Sequence, residues 1–318
     1  MLLILACAGP VLGENPPNEM DVLYRRCQAS CVEVLIDGRH AGSGWFASPD
    51  GFVVTACHLL GDTADSRIEL LSGDDSRIPA TRVAVDRGHD LALLRTASRR
   101  GPGQWLPLAS QVPGIGETLF QYGAPLYRSG VLQSGRIASE RTAYEYYGDL
   151  HEYVEVMHVS GMMQGGTSGG PWLNGRGEVV GLQSGVMSME GRPVGIAYLV
   201  PAEFLRVLLQ TTQDVQTPSL GLGVDELWQQ SGEFLRKLPE GTEGLVVAVL
   251  QGDGPAAKAG LRVQDVIVSV DGGKVIRIRE FLRKIRAHRP GDTVTLGVLT
   301  PGSPDVVQRA VVLGRAER

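Results

Sequence analysis

Long apolar runs, cysteine, histidine and a large excess of either charge are what these 318 residues lack. Past the N-terminus no stretch is long and apolar enough to cross a bilayer, which takes about 20 residues. The net charge of −5 is small, so neither nucleic acid nor an anionic membrane is called for. That charge is unevenly spread, +2 from Thr217 onward and −7 before it, which suggests a boundary near residue 215. Cysteine occurs only at Cys7, Cys27, Cys31 and Cys57. With Cys7 set aside in the N-terminal segment, an odd number remains, so at least one thiol is unpaired or bonded to another chain. Cys27 and Cys31 are near enough to bridge, or they stay as buried thiols. No second Cys/His pair stands at ligand spacing, so zinc is not expected, and nothing implies a cofactor.

What is present is a globular composition, 43% hydrophobic and 20% charged, on a chain long enough for two domains. Residues 1–13 read as a signal or lipoprotein segment. Met1–Leu12 resembles the apolar core of a secretory signal, with Ala6, Ala8 and Gly13 as small residues for a peptidase. No Lys or Arg precedes it, which suits a start further upstream. Ile4-Leu5-Ala6-Cys7 also loosely resembles a bacterial lipoprotein signal, in which Cys7 would carry the lipid. Export is the expectation.

Residues 19–30 predict a short helix or an extended arm. Short apolar, β-branched stretches follow at 31–36, 41–46, 52–58, 67–71, 78–85, 90–95, 118–122, 130–138, 152–159, 171–173, 178–184 and 194–200, punctuated by Gly, Pro, Asp and Ser. Many short strands between turn signals predict an all-β sandwich or barrel. Phe204, Leu205, Leu208 and Leu209 recur at helical spacing and close this first domain, placed at residues 20–210. Residues 211–219 are polar and read as a linker. The remainder, 220–314, has another rhythm: strands at 220–224, 244–250, 265–270, 293–299 and 306–313, a helix at 225–237 and a helical turn at 254–261. A further helix carries Ile278, Phe281, Leu282 and Ile285 on one side and Arg277, Arg279, Arg283, Lys284 and Arg286 on the other. Its basic side either faces solvent or draws acidic partners.

One octapeptide organises the chemistry: Gln164-Gly165-Gly166-Thr167-Ser168-Gly169-Gly170-Pro171. A serine hydroxyl is a poor nucleophile unless one group takes its proton and others hold the charge that develops on the substrate oxygen. Glycines beside it let backbone N–H groups converge on that oxygen without a Cβ in the way. The base is expected at His58, one of only six histidines, at the end of the apolar stretch 52–57. Asp90, at the start of the apolar stretch Leu91–Leu94, is the carboxylate that would orient it, with Asp86 as the rival. A carboxylate there is costly unless paired. The order His, Asp, Ser is that of chymotrypsin.

Three stretches resemble the HtrA/Deg family of chymotrypsin-fold serine proteases: Gly42-Ser-Gly-Trp-Phe through Thr55-Ala-Cys-His58, His89-Asp-Leu-Ala-Leu-Leu-Arg95, and Gly166–Pro171 with Gly177–Leu182. Residues 220–314, with Gly221-Leu-Gly-Val224 and Gly254–Leu261, resemble that family's PDZ domain. The resemblance implies a mainly β fold, a double β-barrel protease domain followed by one PDZ domain. It implies Ser168 as nucleophile, His58 as base and Asp90 as its orienter, with an oxyanion hole at Gly166, Thr167 and Ser168. Substrate would lie along Gln183, Ser184 and Gly185. Peptide C-termini would bind at Gly221, Leu222, Gly223 and Val224 by strand addition. The activity implied is endoproteolysis of unfolded or damaged proteins in the bacterial periplasm, in a homotrimer. The competing expectation is an inert chaperone or peptide-binding scaffold.

Three departures stand out. Thr167 occupies a position where the family commonly has Asn. Met162-Met163-Gln164-Gly165 replaces its Asn-Pro-Gly-Asn-type lead-in. Cys57 precedes the histidine, either as buried filler or as a redox-sensitive thiol. No Asp or Glu lies between Ser160 and Ser168, so cleavage after Lys or Arg is not expected. Met162, Met163, Met187 and Met189 are read either as an adaptable apolar pocket lining or as ordinary core and loop residues.

Overall fold

The computed structural model describes residues 18–61 and 66–316; the signal or lipoprotein segment, with Cys7, lies outside them. Helix α1 (Glu19–Ser30) opens the described chain, so residues 19–30 are a helix and not an arm. Asn18 caps it by accepting the Asp21 N–H, and Leu23 and Cys27 turn inward. It ends where Cys31 becomes extended. Cys27 and Cys31 are buried free thiols, not a bridge. Burial and the neighbouring Cys27 push the Cys31 thiol well up. Cys57 is buried, with the Arg87 guanidinium 3.7 Å from its sulfur.

Six strands close a first barrel: β1 (Cys31–Ile36), β2 (Arg39–Phe46), β3 (Phe52–Ala56), β4 (Ile68–Ser72), β5 (Arg77–Asp86) and β6 (Leu91–Thr96). Seven more form a sheet that curls until β13 also meets β10: β7 (Thr118–Gly123), β8 (Val131–Ile137), β9 (Ala143–Tyr147), β10 (Glu152–Ser160), β11 (Pro171–Leu173), β12 (Val179–Met189) and β13 (Arg192–Pro201). Alternate residues of the strands point inward and fill the barrels with Val, Leu, Phe46 and Trp172, while Trp45, on the opposite face of β2 from Phe46, packs in a separate core cluster. Helix α2 (Ala202–Thr211) buries Leu205 and Leu208 and closes this part. The fold is mainly β, as expected.

Strand β9 was absent from the pattern read above. It pairs with β10, Tyr147 opposite Glu152 and Tyr146 opposite Tyr153. Residues 211–219 are not a free tether. Val215 N–H donates to the Val85 carbonyl at 2.9 Å and Asp214 accepts the Val85 N–H at 2.8 Å. Strand β14 (Pro218–Ser219) pairs with β21 (Gly314–Arg315) at the far end of the chain.

Between them lies a second core. Strands β15 (Leu222–Glu226), β16 (Leu245–Leu250), β17 (Val266–Val270), β19 (Thr293–Leu299) and β20 (Val306–Val312) form the sheet in that order, with β18 (Gly273–Lys274) beside β17. No helix spans 225–237: β15 runs through Glu226, and Ser231 caps a single turn, α3 (Gly232–Leu235). Short α4 (Pro255–Lys258) follows. The apolar face of α5 (Ile278–Arg286) buries Phe281, Leu282 and Ile285 against the sheet. Its basic face is only partly solvated. Arg277 stacks on Trp228, and Arg286 reaches across to the first domain, donating to the carbonyls of Gly88 and Tyr153.

Candidate active site

Strand β3 ends at Ala56, and His58 stands in the 3₁₀ turn Cys57–Leu60 that follows it. The turn is pinned, because Cys57 N–H donates to the Asp90 carbonyl. Asp90 is fully buried and adopts a left-handed conformation, φ 53 and ψ 41, at the end of the turn before β6. That turn brings the carboxylate back to His58. Oδ1 accepts the His58 backbone N–H at 2.8 Å, and Oδ2 lies 2.8 Å from Nδ1. Both contacts fix the imidazole with Nδ1 as donor, leaving Nε2 as the basic nitrogen. The rival Asp86 is committed elsewhere, to His89 Nδ1 at 2.7 Å.

Ser168 is carried on a loop that only glycine permits. Gly166 has φ +95, and a Cβ there would sit 2.3 Å from the Ala124 carbonyl oxygen. It occupies the third position of a turn closed by Thr167 N–H on the Gln164 carbonyl, where positive φ selects glycine. Ser43 braces the turn from the first barrel, its hydroxyl donating to the Gly166 carbonyl at 2.8 Å. Gly42 lets that approach happen, since a Cβ would lie 2.7 Å from the Ser168 carbonyl oxygen. Among the described residues the N–H groups of Gly166 and Ser168 donate to no protein acceptor. The Thr167 N–H does, so Thr167 closes the turn and is removed from the expected oxyanion donors. Its hydroxyl also donates to Gln164.

The segment Gln183–Gly185 completes the site. A bulge between Gln183, opposite Leu199, and Gly185, opposite Tyr198, takes Ser184 out of register. The Ser184 hydroxyl donates to Asp90 Oδ2 at 2.5 Å, and its carbonyl accepts the Ser168 hydroxyl at 3.0 Å. Ser184 therefore links nucleophile and carboxylate; the strand pattern gave no hint of this, since only the bulge turns the side chain. Gln183 is not open to a ligand. Its side chain accepts from Trp172 Nε1 and donates to the Gly185 carbonyl. The four methionines do not gather into a pocket. Met163 is 1% exposed inside the second barrel beside Trp172, whereas Met162 and Met189 are 54% and 67% exposed.

The second expected site is occupied from within the chain. β15 is the edge of its sheet, yet Val224 N–H donates to the Tyr153 hydroxyl at 2.7 Å. That hydroxyl in turn donates to the Val224 carbonyl at 3.1 Å. The Tyr146 ring covers Gly223. Gly221 N–H is held by the Ser219 hydroxyl, and Leu222 is buried.

Between the two sites sits a charged cluster. His89 stacks on Phe204 with ring centroids 3.7 Å apart. Burial works to lower its pKa, but the hydrogen bond to Asp86 and the Glu155 carboxylate 3.8 Å away outweigh it and leave the imidazole raised. Burial works to raise Glu155, and the nearby His89, the Thr142 hydroxyl donating at 2.6 Å and the neighbouring Tyr144 bring it down to about 2.

Comparison with known proteins places this geometry. Residues 42–182 match the trypsin-like peptidase domain family, and residues 218–305 match the PDZ domain family. A Bartonella henselae protein described as a "probable periplasmic serine endoprotease DegP-like" is 30% identical over 271 residues, 84% of this chain and 52% of the relative. A Pseudomonas fulva protein of the same description is 30% identical over 279 residues, 86% of this chain and 56% of the relative. The chain thus spans about half the length of the curated relatives it matches. Among solved structures, an HtrA-type protease AlgW with a decapeptide superposes with TM-score 0.64 at 22% identity, covering 94% of this chain and 99% of that one. A serine endoprotease from Yersinia pestis does so at 0.61 and 22%, covering 95% and 99%.

Proposed function

From the premise that the chain joins a trypsin-like peptidase domain to a PDZ domain and has DegP-like relatives, we propose that it is a serine endopeptidase. Its proposed substrates are unfolded or damaged proteins of the bacterial periplasm. The observation that carries this is the chain of contacts Ser168–Ser184–Asp90–His58, with the Gly166 and Ser168 N–H groups donating to no acceptor among the described residues.

Ser168 attacks the peptide carbonyl, His58 Nε2 takes its proton and returns it to the leaving amine, and Asp90 holds the imidazole. The N–H groups of Gly166 and Ser168 receive the oxyanion. At rest the Ser168 hydroxyl donates to the Ser184 carbonyl at 3.0 Å. A substrate strand laid along β12 competes for that carbonyl through its own N–H, which turns the hydroxyl toward His58 by one rotation about χ1. With no acid between Ser160 and Ser168, cleavage is proposed after small or medium apolar residues. β15 is proposed as the docking edge for peptide C-termini once Tyr153 is displaced, and a homotrimer as the assembly.

The deciding experiment is digestion of casein by the wild type and by Ser168→Ala. A loss of several orders of magnitude is expected, because the three residues act as a unit. Equal inactivity of both proteins, with peptide still bound at β15, would instead support the scaffold reading.

A further inference from the structure

The Ser184 hydroxyl has one proton, and it goes to Asp90 Oδ2 at 2.5 Å. Tyr147 Oη lies 2.9 Å from the same Ser184 oxygen. Since that proton is already committed, only Tyr147 can be the donor in this contact. The phenol keeps its proton for the purpose: burial first, and then the nearby Asp90 charge, push its pKa well above 10.

Space has been made for this contact. A Cβ at Gly185 would lie 2.6 Å from the Tyr147 hydroxyl and 3.2 Å from Cζ, so any other residue at 185 would displace the phenol. Tyr198 packs beside the ring, with centroids 6.3 Å apart. The pairing of Tyr147 with Glu152 fixes its height along β9.

We propose that Tyr147 is a positioning residue for the catalytic carboxylate, acting through Ser184; this rests on the triad proposed above. Donation from Tyr147 holds the Ser184 hydroxyl in the one rotation that meets Oδ2, and Oδ2 is the atom that faces His58 Nδ1. Donors in series polarise one another, so the Ser184 bond draws charge from Oδ2 and keeps His58 less basic. Removing the phenolic hydroxyl leaves Ser184 free to rotate and returns charge to Oδ2. His58 then holds its proton to a higher pH.

The test uses the full chain and Tyr147→Phe, which keeps the ring. Titration of His58 followed by NMR of histidine-labelled protein should show its pKa raised. On a peptide substrate kcat should fall roughly 3- to 10-fold, the worth of one hydrogen bond, with KM unchanged and the acidic limb of kcat/KM moved upward. A lower thermal midpoint with His58 titrating as in the wild type would mean that Tyr147 only packs, and would overturn the proposal. So would an unchanged titration with unchanged kcat. The NMR reading needs no turnover, so it decides on Tyr147 even if Ser168→Ala shows that the wild type cleaves nothing.

Discussion

The two strands proposed to receive an extended peptide each have their backbone covered by a hydroxyl. On β12 the Ser184 carbonyl is taken by Ser168 at 3.0 Å. On β15 both polar groups of Val224 are taken by Tyr153, at 2.7 and 3.1 Å. A buried polar backbone group must find a partner, and an open strand edge invites unwanted pairing. The covers differ in what moves them. Ser168 belongs to the same domain as β12 and leaves by turning about one bond. Tyr153 belongs to the other domain, and its backbone carbonyl also accepts from Arg286 of α5. Uncovering β15 therefore means parting two domains, while uncovering β12 does not.

The largest test of that contrast is at the catalytic strand. Asp90→Asn keeps the shape of the side chain but offers His58 an N–H where it needs an acceptor. A fall in kcat of about 10⁴ is expected, with peptide binding at β15 unchanged. If β15 binding changed as well, the two sites would not be separable. Gly166→Ala comes next. Its Cβ would strike the Ala124 carbonyl at 2.3 Å and turn the oxyanion N–H away, so kcat should drop by roughly 10² to 10³.

At the other strand, Tyr153→Ala removes both hydrogen bonds to Val224. Calorimetry with a peptide ending in a free carboxylate should show binding tightened by roughly tenfold, about the net worth of the bonds that no longer compete. Unchanged affinity would mean that Tyr153 does not guard β15. Arg286→Ala should act in the same direction but less, since it loosens docking while leaving the Tyr153 hydroxyl in place.

These outcomes bear on why some features were readable in the sequence and others were not. The glycine loop at 164–171, His58 and Asp90 each announce themselves through local residue types, and the structure brings them together through Ser184. β9 did not announce itself because both of its faces are covered, each by a different domain. Tyr147 and Glu145 meet Ser184 and His158 in the first domain. Tyr144 and Tyr146 meet Arg286 and Gly223 of the second. With Tyr on both sides, the apolar–polar alternation that marks a half-buried strand is missing. Long-range contacts such as Tyr153 on Val224 leave no local trace either. The methionines misled for a related reason: sequence proximity put Met162 and Met163 side by side, whereas the chain sends one to solvent and one into the barrel.

The smallest expected effect lies where the two regions meet. His89 is faced by Asp86 on its own turn, Glu155 on β10, Arg286 on α5 and the Phe204 ring on α2. Its folded pKa is raised, so the stability it contributes is fully present below about 6.5, the unfolded value. It is lost as pH rises through the folded value. The thermal midpoint of the wild type should drift down across that window, and His89→Gln should flatten the drift. Docking has the opposite dependence. Arg286 repels the protonated imidazole, so losing the proton tightens the hold of the second domain and should weaken peptide binding at β15 as pH rises. Ser168 and Ser184 make no contact with His89 among the described residues, so β12 should follow only the titration of His58. Calorimetry of β15 binding from pH 6 to 8, in the wild type and in His89→Gln, separates these. A slope that persists without His89 would place the pH sensitivity elsewhere in the interface.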